Sequence, residues 1–111
     1  MADDADGAIW DALVTAMQTA GPVHERRSRY GDKPALWTDR REIAHLEAPG
    51  VIDVRITAAG WARAKTDFGG HRAVCRDPSR RDWIELRLSS AGEVRELAAL
   101  LAVAVAANSS R

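Results

Sequence analysis

The chain holds a single cysteine, Cys75, in 111 residues. No internal disulfide can therefore form, the fold must rest on its core, and a reducing compartment is the expected setting. Net charge is also missing, because 16 basic residues face 16 acidic ones. That argues against a dedicated nucleic-acid binder, which carries a clear positive excess. There is no charged start followed by an apolar run, the mark of a secretory signal. The longest apolar stretch, residues 97–107, is about half of what a membrane span needs. These absences predict a cytoplasmic protein with no membrane partner.

The motifs of familiar chemistry are absent as well. No G-x-S-x-G marks a serine nucleophile, and Gly69-Gly70 is too short to cradle a phosphate or a dinucleotide. Cys75 has Arg72 and Arg76 nearby but no basic partner, and reads as a small core residue. The possible soft ligands are His24, His45, His71 and Cys75, in no zinc spacing. His71 and Cys75 are four apart, which on a strand separates them by roughly 13 Å. The sequence thus predicts no metal site and names no cofactor, catalytic residue or oligomeric state. Lysine is scarce, since fourteen of the sixteen basic residues are Arg, and Ala is abundant. This composition fits a GC-rich, actinobacterial-like coding bias better than a need for guanidinium chemistry.

What is present is one domain's worth of pattern over residues 1–111. Apolar residues make up 46%, and a chain of this size buries roughly two thirds of its unfolded surface, enough for one core. Residues 1–6 are acidic and expected to be disordered. Ile9, Trp10, Leu13, Val14 and Met17 then share a helical face from Ala8 to Ala20, with Asp6 as N-cap and Gly21-Pro22 as stop. Strands are expected over residues 23–30, 34–38, 42–46 and 51–56. A short helix follows over residues 58–67, capped by Thr57, with Trp61, Ala64 and Phe68 on its buried side. Two more strands read at residues 72–76 and 82–88. Ser90 and Glu93 have the spacing of a capping box, opening a last helix whose stripe is Val94, Leu97, Leu101 and Val105. The expected fold is α+β: a single antiparallel sheet of about six strands, N- and C-terminal helices, and one short helix between strands four and five.

Period-two alternation divides two of the strands. Ile52, Val54, Ile56, Ile84, Leu86 and Leu88 point to the core, against Leu97, Leu101 and Val105. Asp53, Arg55, Trp83, Glu85 and Arg87 point away, forming a mixed-charge face around an aromatic ring. Such a face suits a planar or anionic ligand; the plainer expectation is ordinary cross-strand ion pairs in water. His45 sits within the apolar run Ile43-Ala44-His45-Leu46, where a buried, hydrogen-bonded histidine is the plainer expectation and a general base the sharper one. The basic run of residues 26–41, interleaved with Tyr30 and Trp37, is the one feature that resembles a nucleic-acid surface.

Three short motifs, Glu42-Ile43-Ala44-His45-Leu46, Asp53-Val54-Arg55-Ile56 and Asp82-Trp83-Ile84-Glu85-Leu86-Arg87, resemble the small actinobacterial luciferase-domain proteins over residues 36–108. The resemblance implies a luciferase-like α+β domain with matching positions at Glu42, His45, Asp53, Arg55, Trp83, Glu85 and Arg87. It carries over no catalytic residue. Longer members show a second histidine after the turn where this chain has Asp53, so His-dependent oxygenation is not implied here. The order of elements is also similar to MmcQ/YjbR-like proteins, for which DNA binding has been proposed, with Lys33-Pro34-Ala35-Leu36-Trp37 in the opening hairpin. Two function classes follow. One is a small-molecule-binding or enzymatic domain using His45, Asp53, Arg55, Trp83, Glu85 and Arg87; the other is a nucleic-acid or protein-binding module using the basic strands at 26–41.

Overall fold

Alternating strands and two helical stripes assemble around one shared apolar layer. The computed structural model describes residues 2–109, with residues 2–6 described by backbone alone. Helix α1 (Ala2–Ala20) leads into strands β1 (His24–Arg27), β2 (Pro34–Trp37), β3 (Glu42–Ala48) and β4 (Val51–Arg55). Helix α2 (Ala58–Phe68) precedes β5 (Val74–Cys75) and β6 (Trp83–Arg87), and α3 (Ala91–Glu96) and α4 (Ala98–Ser109) close the chain. The six strands form one antiparallel sheet in the order β1-β2-β3-β4-β6-β5. The α+β fold expected from the pattern is the fold the chain adopts.

Register explains which side chains meet. Ala44, Val54 and Ile84 stand in one cross-strand row, and Leu46, Ile52 and Leu86 in the next. Ile52, Val54, Ile56, Ile84, Leu86 and Leu88 are all buried, as are Leu97, Leu101 and Val105 facing them. Helix α4 lies directly on β3 and β4, and α1 packs on α3 and α4. The chain passes from α1 to β1 at Gly21, where an added Cβ would come 2.8 Å from Val105 Cγ1, so a residue without a side chain lets α1 end tightly against α4. Gly50, with φ +73°, makes the left-handed step of the β3–β4 turn.

Several boundaries differ from the sequence pattern. Helix α1 begins at Ala2, so Asp6 lies inside it and does not cap it; the disorder expected of residues 1–6 falls outside the described side chains. The first strand stops at Arg27, because Ser28 turns the chain by pairing its N–H with Lys33 O. The fifth strand is two residues long, because the chain from Phe68 to Val74 closes turns on itself through His71 N–H and Val74 N–H. In α2 the fully buried positions are Gly60 and Ala64, while Trp61 and Phe68 are half-buried. The last helix is two helices. Leu97 N–H is shared between Glu93 O at 3.2 Å and Val94 O at 3.0 Å, a tightened turn that ends α3. After the break, α3 packs on α1 and α4 packs on both α1 and the sheet. Ser90 Oγ accepts from Glu93 N–H as expected, but the Glu93 carboxylate accepts from Ser89 N–H, one residue ahead of the cap.

Candidate functional site

The polar face of the sheet is organised by two irregularities in one strand. Along β3 the register slips between Leu36 and Trp37 of β2, so that Trp37 pairs with Glu42 and Ile43 is the extra residue. It slips again opposite β4, where Leu46 pairs with Ile52 and Ala48 with Val51, leaving Glu47 extra. These are β-bulges, which re-aim side chains locally. In a regular strand, residues three apart face opposite ways. The first bulge cancels that rule, sending Ile43 fully into the core and bringing Glu42 onto the same side as His45.

Three carboxylates consequently converge on one imidazole. His45 Nδ1 lies 2.8 Å from Glu42 Oε2, a charge contact whose angle is poor for a hydrogen bond. His45 Nε2 is 3.0 Å from Glu47 Oε1 and 3.2 Å from Asp53 Oδ2, the latter reaching across from the paired position on β4. Glu42, His45 and Asp53 are buried, whereas the Glu47 side chain is 56% exposed. Arg80 Nη2 approaches the same Asp53 oxygen at 3.4 Å. The hydrogen bond that His45 donates to Asp53 is the largest influence on its imidazole; with the charges of Asp53 and Glu42 it outweighs burial and raises the pKa above the usual 6.5. Burial pushes the Asp53 carboxyl up, but the His45 hydrogen bond and the Arg80 charge prevail and hold it below the usual 3.8.

Glu42 also builds the walls of the site. Its carboxylate accepts from Ser28 Oγ at 2.8 Å and from Arg29 N–H at 2.7 Å, and Ser28 Oγ accepts from Tyr30 N–H at 3.0 Å. These bonds fold the β1–β2 loop over the sheet beside Ala35, the small, fully buried residue opposite His45. Tyr30 is thereby set with its ring 5.6 Å from the His45 ring, tilted 51°. On the other side the Trp83 ring stands 5.5 Å away at the same tilt. The Arg29 and Arg80 guanidinium groups lie over the outer rings, at 5.8 Å from Tyr30 and 5.7 Å from Trp83.

The six residues marked by the sequence fare differently. Register places Asp53, Arg55, Trp83, Glu85 and Arg87 on one face with His45. Only His45, Asp53 and Trp83 come together as a site. The Arg55 guanidinium reaches instead to Asp82 and to Asn108 at the end of α4. Arg87 pairs with Glu85 at the rim of a small cleft of about 210 Å³ that also takes in Cys75, Arg80 and Trp83. Asp82, part of a family-like motif, holds the start of α2 in place. Its backbone oxygen accepts from Ile56 and Thr57 N–H, and its side chain accepts from Ala58 N–H. Tyr30, Glu47 and Arg80 are site residues that period-two reading does not reach. Glu42 enters the sequence reading only through the resemblance. A separate cleft of about 740 Å³, lined by Arg40, Arg41, Arg55 and Thr57 among others, lies past the end of β4; its charged side chains are exposed or, at Arg55, already paired.

The arrangement can hold a proton on His45, stack a flat molecule on two aromatic rings, or offer a nitrogen and carboxylate oxygens to a cation. Comparison with protein-family models, with curated proteins and with solved structures finds no match to this chain.

Proposed function

We propose that this is a luciferase-like domain that binds a small planar molecule on the Tyr30–His45–Trp83 face. One observation carries the reading: Tyr30 is 68% exposed, yet a buried Glu42 carboxylate and Ser28 hydroxyl position its loop over a buried histidine. Leaving an aromatic ring in water forgoes burial worth about 1.5–3 kcal/mol, and buried polar groups are costly unless fully bonded. Those polar groups are bonded, but the Tyr30 ring they position stays uncovered, and a ligand covering Tyr30 and Trp83 recovers the aromatic burial. His45 beneath the rings then supplies the polar contact that fixes orientation.

The nucleic-acid or protein-binding alternative finds less support in the arrangement of the basic run. Arg26 and Arg27 lie on the edge strand, where Arg27 pairs with Asp32 at 3.8 Å. Arg29 sits over Tyr30, and Arg40 and Arg41 belong to the separate large cleft. Charged edge strands commonly serve to discourage sheet-to-sheet pairing.

Titration with a panel of small planar heteroaromatic compounds, followed by tryptophan fluorescence, tests the proposal. A saturable response is expected that weakens in Tyr30→Ala and in Trp83→Phe, both of which keep the circular dichroism of the parent. A response equally strong in both variants places binding elsewhere and overturns the assignment.

A further inference from the structure

We propose that His45, Glu47 and Asp53 form a binding site for a divalent first-row transition-metal ion of the zinc or cobalt type. The three donor atoms lie within 4.8 Å of one another. Two of their separations, 3.0 and 3.2 Å from His45 Nε2 to the carboxylate oxygens, are close to the edge of a coordination sphere: ligands about 2.1 Å from a metal stand about 3.0 Å apart at right angles and about 3.4 Å apart in a tetrahedron. An imidazole nitrogen with two carboxylate oxygens is a donor set for such ions rather than for magnesium or calcium, which prefer oxygen alone.

Two further observations point to a ligand in this place. Asp53 Oδ1 is a buried acceptor with no hydrogen-bond partner, on a side chain only 6% exposed whose other oxygen already faces His45. Buried acceptors are normally satisfied, and an orphan one commonly marks an ion or water. The imidazole also has one in-plane bonding direction at Nε2 but two carboxylate oxygens beside it. A single N–H cannot serve both well; a metal on that nitrogen ligates both. Formal charge agrees. Glu42, Glu47 and Asp53 against the Arg80 guanidinium leave two negative charges around the imidazole, which a divalent ion on Nε2 balances. Glu42, 2.8 Å from Nδ1, adds a further negative charge on the far side of the ring.

The pattern escapes zinc-spacing rules because its members are a His-x-Glu pair on a bulged strand and an aspartate paired across a hairpin. Metal binding here deepens the reading of this face as a ligand site without depending on the planar molecule, so the test uses metal alone. Protein stripped with a chelator is titrated calorimetrically with Zn²⁺ and, by quenching of tryptophan fluorescence, with Co²⁺. One ion per chain is expected. Losing a direct ligand should weaken binding at least as much as losing an outer partner, about 10–100-fold, in Glu47→Gln and in Asp53→Asn. Glu47 is exposed, so its variant keeps the fold; His71→Gln, which alters the separate His71–Glu96 pair, should leave the affinity unchanged. Absence of saturable binding up to millimolar metal overturns the proposal, as does unchanged affinity in both Glu47→Gln and Asp53→Asn. Either result leaves the response to planar compounds to be judged by Tyr30→Ala.

Discussion

At His45 the proton and the surrounding carboxylates stabilise each other, and the sign of that coupling fixes the response to pH. A folded-state pKa raised above 6.5 gives stability that is full below about pH 6.5 and is lost as pH rises through the raised value. The lowered Asp53 pKa works at the other end: its contribution is present above about pH 3.8 and is lost as pH falls through the lowered value. Urea midpoints measured in chelator should therefore be highest between about pH 4 and 6.5 and decline on the alkaline side. His45→Gln should remove that alkaline decline; a parent midpoint flat from pH 6 to 9 would contradict it. His45 itself stands out in the sequence as a polar residue in an apolar run. Its partners are less legible. Strict alternation assigns Glu42 to the opposite face, and nothing local says that a loop residue such as Tyr30 will fold back over β2. Arg80 reaches Asp53 from another loop, a contact set by topology rather than spacing.

Among the elements, the junction between β4 and α2 carries the clearest strain. Thr57 has φ 68° and ψ 156°, a region close to glycine-only, and it is held there by bonds from residues 56–58 to Asp82. Such strain costs about 1–3 kcal/mol. Thr57→Gly would relieve it, while adding about 0.5–1 kcal/mol of backbone entropy cost and losing a cap worth only a few tenths against glycine. Relief wins, so Thr57→Gly should be more stable by about 1 kcal/mol, whereas Thr57→Ala keeps the strain, loses the cap and should be less stable than the parent. Urea denaturation of the three proteins checks the ranking, and Thr57→Gly falling below Thr57→Ala would refute it. The sequence shows that Thr57 caps α2; it does not show the backbone this requires, because a capping threonine reads the same strained or relaxed. The break at Leu97 hides for a similar reason. Val94, Leu97, Leu101 and Val105 keep helical spacing straight through it, and the break shows only in the backbone, where Leu97 N–H turns to Val94 O.

For the molecule as a whole, balanced charge and a single apolar layer decide most of the behaviour. Among the described residues no helix is long and apolar enough to cross a membrane. With 16 charges of each sign and the basic run divided among strand, loop and turn, any DNA binding should be weak and should vanish by about 200 mM salt, as phosphate contacts do. A gel-shift titration giving tight binding at that salt would return the basic strands to consideration. The alternation that forms the core is fully readable, since burial tolerates only one register. The order β4-β6-β5 has a different implication, for synthesis on the ribosome. The first four strands form a meander that can pair as it emerges, but β4 (Val51–Arg55) must wait for β6 (Trp83–Arg87) to supply its second neighbour. At about 5–20 residues per second, its unpaired edge stays open for a few seconds in every nascent chain. A polypeptide stopped at residue 80 keeps that edge permanently, together with the apolar face that α4 would cover, and light scattering should show it clumping where the full chain stays dispersed. For this protein the last third of translation is what protects the first half from its own kind.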